Sequence, residues 1–406
     1  MWKQLSFLKD GPSQILCAIF IANMFYDDPT LYLYKRLLYS VFIYFAIWQI
    51  CKNYFQNRLG SNSFKMPFFF NIYIPLLISF IAIALCKDLV NPNLKWITLL
   101  NNPFCTLSVF PILMFVVGAN TDDIESIFDV LIFSICAFFI VVILPFFGAI
   151  KYYQGYVAAN AFIPFFFISS SLKKYRIAGC IILLIGLYFS NLSDYRIIAL
   201  RILVFIALYT SLSIFKKVGI MKLLIILITC FCLYEFIANL EELLTLFKNI
   251  IGVKSFNDDD TRAFLWKEVF EELHGSDFIF GRGFQGTYFS EYFLMILVYY
   301  NTFADHYDRF AVEVGFLQLL LKGGFLWYFL YIGPLLYTSI KGIFWHYQNN
   351  LVFSISIFLF TELLLMFIEN IPYFSFQASL FFFFAGFAIR KMNTGNLTSK
   401  DTFAIT

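Results

Sequence analysis

Charge is what this chain has least of. Only 14% of its 406 residues are Asp, Glu, Lys or Arg, against 61% hydrophobic, and mean hydropathy is +0.77. So few charges cannot cover a globular surface, which excludes a soluble multidomain chain and leaves a polytopic membrane protein. The net charge is only +3 and no Lys/Arg run exceeds two residues, so no nucleic-acid surface is encoded. Histidine is limited to His274, His306 and His346. Metal-spaced cysteine is missing too. Cys17, Cys51, Cys86, Cys105, Cys136, Cys180, Cys230 and Cys232 all fall in or beside apolar segments, and the one close pair, Cys230 and Cys232, has no His or carboxylate at ligand spacing. All eight read as packing residues, and no metal or other cofactor is expected. No internal duplication is visible, although a transporter with matching halves would show one. Gly11–Tyr26 follows Lys3 and Lys9 as a signal segment would. No small-residue cleavage site comes after it, so we expect no cleavable signal peptide.

What is abundant is aromatic and aliphatic. Phe (56) and Tyr (25) suit lipid-facing helices with aromatic belts. Apolar runs bounded by polar residues predict an all-α fold of about twelve transmembrane helices. Nine fall near 12–27, 37–52, 68–86, 100–118, 127–148, 154–171, 176–191, 197–215 and 218–238; three more fall near 323–341, 351–369 and 372–389. The chain thus divides into helices 1–9 (1–240), one large loop (241–322), and helices 10–12 with a tail (323–406).

Basic residues set the sidedness. With the N-terminus inside, the cytoplasmic loops hold Lys52, Arg58, Lys65, Lys173, Lys174, Arg176, Lys216, Lys217 and Lys222, and the tail holds Arg390, Lys391 and Lys400. The short outer loops hold fewer, so both termini are expected in the cytoplasm and the large loop outside. Thr287–Tyr300 is apolar but only fourteen residues long and contains Glu291. It reads as an interfacial or re-entrant helix, because a full span there would turn the basic tail outward.

The polar island Glu241–Lys322 carries most of the groups able to do chemistry. Asp305, Arg309 and Glu313 would stack at i, i+4, i+8 if this stretch is helical, with His306 on the adjoining row. An imidazole beside carboxylates can act as a general base; equally, the row can be the salt-bridged outer face of an amphipathic helix that packs Phe310, Val314, Leu317, Leu320 and Leu321 inward. Arg196 stands at the outer mouth of the eighth span, and Arg201 lies five residues deeper among apolar neighbours. Intramembrane arginines face a cavity, an anion or a partner, so these two either grip phosphate oxygens or, for Arg201, pair with an acid such as Glu235 or Glu362. Asp258-Asp259-Asp260 reads as a helix start rather than a metal-binding Asp-x-Asp, with Arg262 and Trp266 on one helix face. Gly281-Arg282-Gly283 has neither the Lys-Ser/Thr of a phosphate loop nor a preceding strand, and reads as a tight turn presenting Arg282. His274-Gly275-Ser276-Asp277 reads as a solvated turn.

The order of these signals is familiar. Ser193-Asp194-Tyr195-Arg196 opens a late helix. Arg262 with Leu265-Trp266, the Gly281/Gly283 turn, His306, and a helix ending Leu319 to Gly324 then follow in turn. Over roughly residues 194–327 the chain resembles the bacterial O-antigen ligase/polymerase superfamily, which includes Wzy-type repeat-unit polymerases. The resemblance implies an inverting, metal-independent glycosyltransferase of the bacterial inner membrane, acting on an undecaprenyl-pyrophosphate-linked oligosaccharide at the periplasmic face, with a chain-length regulator as a possible partner protein. It implies that Arg196 and Arg262, with Arg201 and Arg282 near them, hold the pyrophosphate. His306, with Arg309 and Glu313, would handle the acceptor or the leaving group. Tyr307 follows the histidine where ligases of the group carry Asn, Ser or Gln, and Leu317 stands where their first glycine is expected. Both departures favour the polymerase over the ligase.

Overall fold

Segments this apolar offer their peptide groups no water and few side-chain partners, so the N–H and C=O groups pair within the segment as helix. The computed structural model describes residues 11–26, 68–90, 110–121, 124–143, 173–192, 196–238, 261–291, 293–294, 308–370 and 376–402, with positions 41, 45, 48 and 163. The chain is mostly helical. In order come α1 (Gly11–Tyr26), α2 (Phe68–Val90), α3 (Phe110–Ala119), α4 (Glu125–Ile143), α5 (Lys173–Leu192), α6 (Arg196–Ile214) and α7 (Gly219–Ala238). The polar island adds α8 (Thr261–Glu272), α9 (Asp277–Phe280) and strands β1 (Tyr288–Phe289) and β2 (Asp308–Arg309). Then come α10 (Gly315–Trp345), α11 (Asn350–Leu365) and α12 (Phe376–Thr402). The segments expected near 37–52 and 154–171 lie almost wholly outside the described residues. Among the described residues, α10 alone is long and apolar enough to cross a membrane, judged by length and composition.

Several boundaries differ from expectation, each for a physical reason. α2 runs on through Lys87 and Asp88, because loop groups far along the chain satisfy both charges. α10 is two helices joined at a kink at Gly324: the part before it ends at the Leu319 to Gly324 stretch and the part after it starts near 323, both as expected. α12 continues as helix through the basic tail to Thr402. The described cysteines are free thiols, and Cys86, Cys136, Cys230 and Cys232 are exposed on apolar helices, not packed as expected.

The bundle core is α12 with α3, and α10 with α11. Gly118 and Gly386 let α3 and α12 approach to backbone contact, because a Cβ on either would overlap the main chain of Phe383 or Phe115. Loop contacts then separate two ends. At one, Lys216 Nζ donates to Asn350 Oδ1 (2.9 Å), Lys222 Nζ to the Ile343 carbonyl (2.8 Å), Lys341 Nζ to Asn393 Oδ1 (3.3 Å) and Arg390 Nη1 to the Ala119 carbonyl (3.2 Å). At the other, Lys87 and Asp88 meet the island, and Gly315 N donates to the Glu369 carbonyl (3.1 Å). The loops after the expected fourth, eighth, tenth and twelfth spans therefore gather at one end. Those after the third and eleventh gather with the island at the opposite end.

Candidate functional site

The island docks where α10 breaks. Gly324 has φ +62° and interrupts the helix, so the carbonyls of Leu321 and Lys322 lose their ordinary acceptor role four residues on. The Gly281-Arg282-Gly283 turn supplies the missing donors: Arg282 N reaches the Leu321 carbonyl (2.8 Å) and Gly283 N the Lys322 carbonyl (3.0 Å). This needs two backbones in contact. Gly281 (φ +62°) lies against the Lys322–Gly323 main chain and Gly324 against that of Ile279, and a Cβ at either would overlap it. The expected tight turn is therefore present, and the kink is what it caps.

Charges seal the junction. Asp88 accepts from Phe284 N (3.1 Å) and Gln285 N (2.9 Å), so a buried carboxylate holds the end of the turn. Lys87 Nζ bonds Asp277 Oδ1 (3.0 Å) and the Gly281 carbonyl. Buried Lys322 places Nζ 2.7 Å from the Gly286 carbonyl and 3.5 Å from the centre of the Phe310 ring. Arg282 is gripped from several sides: Nη1 reaches Glu272 Oε2 (2.9 Å) and the Thr287 carbonyl (2.8 Å), Nη2 reaches the Glu272 carbonyl, and Nε lies 3.4 Å from Asp277 Oδ2. Its guanidinium straps α8 and α9 to the turn.

The stretch from Asp305 to Glu313 was expected to be helical if it stacked its charges; its described part is not. Asp308–Arg309 form β2, antiparallel to β1 with Arg309 opposite Tyr288. Val312 and Val314 are buried on either side of exposed Glu313, a period of two rather than 3.6, and Val314 is extended. The Arg309–Glu313 pair forms nonetheless (2.7 Å). Arg309 also lies 3.5 Å over the centre of the Phe293 ring and reaches Tyr288 Oη at 3.3 Å. Burial pushes the Tyr288 phenol up to about 12, against the opposing charge of Arg309, so it remains a neutral partner. Thr287–Tyr300, expected as a helix, starts instead as β1; helical geometry begins after Ser290, whose Oγ accepts from Phe293 N (3.3 Å), and residues 295–300 lie outside the described set.

Arg201 takes the paired alternative. It is 1% exposed, with Nε 2.8 Å from Glu362 Oε1, at an angle short of an aligned hydrogen bond, and Nη2 2.5 Å from Glu369 Oε2. Arg196 is the first residue of α6 and Arg262 the second of α8; their side chains, and His306 with Asp258–Asp260 entirely, lie outside the described residues. His274 is exposed in its turn, as expected. Among the described residues no three His, Cys, Asp or Glu groups converge as a metal centre requires. Sequence reasoning missed Asp88, Glu272, Tyr288, Lys322 and Glu369. The available signals were a Lys-Asp at the end of an apolar run and a Lys just before Gly-Gly.

Comparison with family models, curated proteins and solved structures gives no match.

Proposed function

We propose that this chain is a multi-pass inner-membrane glycosyltransferase that polymerises undecaprenyl-pyrophosphate-linked oligosaccharide repeats on the periplasmic face. One observation carries the reading: a charged island is clamped onto a single end of a helical bundle, the end from which α6 descends past Arg201. Exposed apolar rows support the membrane setting. Ile177, Ile181, Leu184 and Tyr188 on α5, and Ile220, Leu224, Leu227 and Phe231 on α7, repeat at helical spacing and face outward. Water would penalise such faces and hydrocarbon would not. The grouping of loops by end supports a C-terminal tail on the side away from the island, which this reading makes cytoplasmic, and the N-terminus is assigned to the same side by loop charge. Reporter fusions at Asn350 and after Lys391 are expected to read cytoplasmic, and one at Ser255 periplasmic. A periplasmic signal from the C-terminal fusion would reverse the assignment.

Chemically, transfer breaks the bond from the sugar to pyrophosphate, and negative charge develops on the leaving group. Two guanidinium groups aimed at it stabilise that charge where other enzymes use a divalent ion. In this reading Arg196 and Arg262 bind the pyrophosphate, while Arg201 and Arg282, each already held by two carboxylates, keep α6 and α8 in place. His306 takes the acceptor hydroxyl proton, and Arg309 with Glu313 shapes the loop that carries it.

The test is purified protein with a lipid-linked repeat unit, product length being read on a gel. Arg196→Ala and Arg262→Ala should each cut polymer formation by about 10²–10³-fold with normal membrane expression. Lysine at either position should rescue poorly, lacking the planar fork. His306→Ala should be severe, whereas His274→Ala and His346→Ala should be tolerated. Activity should persist in EDTA. Loss on chelation, restored by one divalent ion, would return the Asp258–Asp260 run to the site and remove the metal-free mechanism.

A further inference from the structure

Buried cations elsewhere in the described residues are balanced from within the chain. Arg201 faces Glu362 and Glu369, and Lys322 lies in the field of Asp88. Lys222 breaks that pattern. It is 1% exposed in the first turn of α7, and among the described residues no carboxylate lies within ion-pair distance of it. Its Nζ donates to the Ile343 carbonyl (2.8 Å) and lies 4.1 Å from the centre of the Tyr347 ring and 5.8 Å from that of Phe344. A second ammonium, Lys216 in the loop before α7, is near enough to oppose it. Lys216 is half-buried, donates to Asn350 Oδ1 (2.9 Å) and sits 4.8 Å over the Phe353 ring, again with no carboxylate partner among the described residues. Lys217, the next residue, is an ordinary exposed lysine.

Two helix N-termini add to the positive potential. α7 starts at Gly219 and α11 at Asn350, and neither has an acid in its first turn to meet the dipole. The first amides of α11 are met by a neutral group instead, since Asn349 Oδ1 accepts from Leu351 N (3.1 Å) and Val352 N (3.2 Å). Against two full charges and two helix ends stand one carbonyl near the end of α10, one amide oxygen and three ring faces, all of them partial charges. Burying an ammonium without a counterion is costly, and a like charge beside it raises the cost. An anion shared by the two lysines removes both penalties. A tetrahedral phosphate suits the pair, because it offers separate oxygens to donors arriving from different elements and carries full charge. Both lysines also stand at helix starts, the level at which a bilayer leaflet places its own phosphates. We infer that Lys216 and Lys222 bind the phosphate of an anion at the end of the bundle opposite the island, either a phospholipid headgroup or a soluble phosphate. Bound there, it ties the loop between α6 and α7 to the start of α11. The site stands whether or not the chain is a polymerase, because its charge balance is local.

The test uses the full-length protein in a nonionic detergent, with thermal unfolding followed at about 0.5 M sodium chloride, where exposed charges are screened far more than buried ones. One arm adds phosphatidylglycerol, with zwitterionic phosphatidylcholine as its control. The other adds inorganic phosphate, with chloride at equal ionic strength as its control. A ligand that binds the folded state raises the unfolding temperature saturably. A rise with phosphatidylglycerol alone assigns a lipid headgroup, and a rise with inorganic phosphate assigns a soluble phosphate. Half-saturation should need at least about fivefold more ligand in Lys216→Gln and in Lys222→Met, and less than about twofold more in Lys217→Gln. If Lys222→Met is not recovered monodisperse, Lys216→Gln, at a half-buried loop position, decides alone. No stabilisation of the wild type beyond the two controls would overturn the site. So would equal half-saturation in Lys216→Gln and Lys217→Gln, which would leave only general attraction to a basic surface.

Discussion

Arg201→Ala should leave little folded protein in the membrane. The guanidinium lies 2.8 Å from Glu362, which is itself 1% exposed, and it also holds Glu369. Deleting one member of a buried ion pair costs about 3–5 kcal/mol, mostly because a charge is left without a counterion in a medium that cannot solvate it. Glu369 adds to the loss. Its carbonyl caps Gly315 N and that of Met366 caps Phe316 N, so the carboxylate that Arg201 holds belongs to the segment starting α10. A triple variant, Arg201→Met with Glu362→Gln and Glu369→Gln, removes all three charges together and should restore much of the yield. The measurement is the monodisperse fraction after detergent extraction, followed by polymer formation. Recovered yield with polymer assigns Arg201 a supporting role. Recovered yield without polymer would return it to the pyrophosphate site. Wild-type yield from Arg201→Ala alone would mean that the triad does not hold α6 to α11.

How much of this was legible depends on the range of the forces involved. Helices such as α5, α6 and α7 start and stop within a few residues of expectation, because each is decided by its own apolar run and the charges beside it. The pairing of Arg201 with Glu362 was open to sequence reasoning as one of two alternatives, since a buried guanidinium must find an anion and few intramembrane acids exist. Choosing Glu362 over Glu235, and adding Glu369, required knowing that α6 packs on α11. The errors share one cause. Lys322 reads as the polar edge of the island because a lysine beside an apolar run ordinarily reaches water, and the span edge there is real, but its side chain is buried. Gly286 and Phe310, 36 and 12 residues away, make it an interior residue. Likewise Asp305–Glu313 has charges at helical spacing, but the alternation of Val312, Glu313 and Val314 and the pairing of Arg309 with Tyr288 keep its described part out of a helix. Charge spacing was compatible with both forms, and cross-strand partners decided between them.

Gly281→Ala should detach the island, and comparison with Gly275→Ala shows why. Both glycines have positive φ, +62° and +52°, so alanine at either adopts a backbone conformation costing about 1–2 kcal/mol. Their surroundings differ. A Cβ at Gly275 would meet nothing within 4 Å, whereas at Gly281 it would overlap the main chain of Lys322 and Gly323. Main chain in a packed helix cannot yield as a flexible side chain can, so the turn must lift. Lifting it breaks the Arg282 N–Leu321 and Gly283 N–Lys322 bonds and leaves two carbonyls at the kink without donors. It also withdraws Phe284 N and Gln285 N from Asp88, so a buried carboxylate loses both amides. Limited proteolysis of intact membranes, with cleavage in the island followed over time, gives the readout. Gly275→Ala should keep nearly the wild-type rate, and Gly281→Ala should be cleaved at least about tenfold faster, the factor expected from ~1.4 kcal/mol or more of lost docking. It should also lose polymer formation although every residue assigned to the chemistry is intact. Equal protection of the two variants would show that the turn can shift without releasing α10, and the kink would then no longer be what holds the island in place.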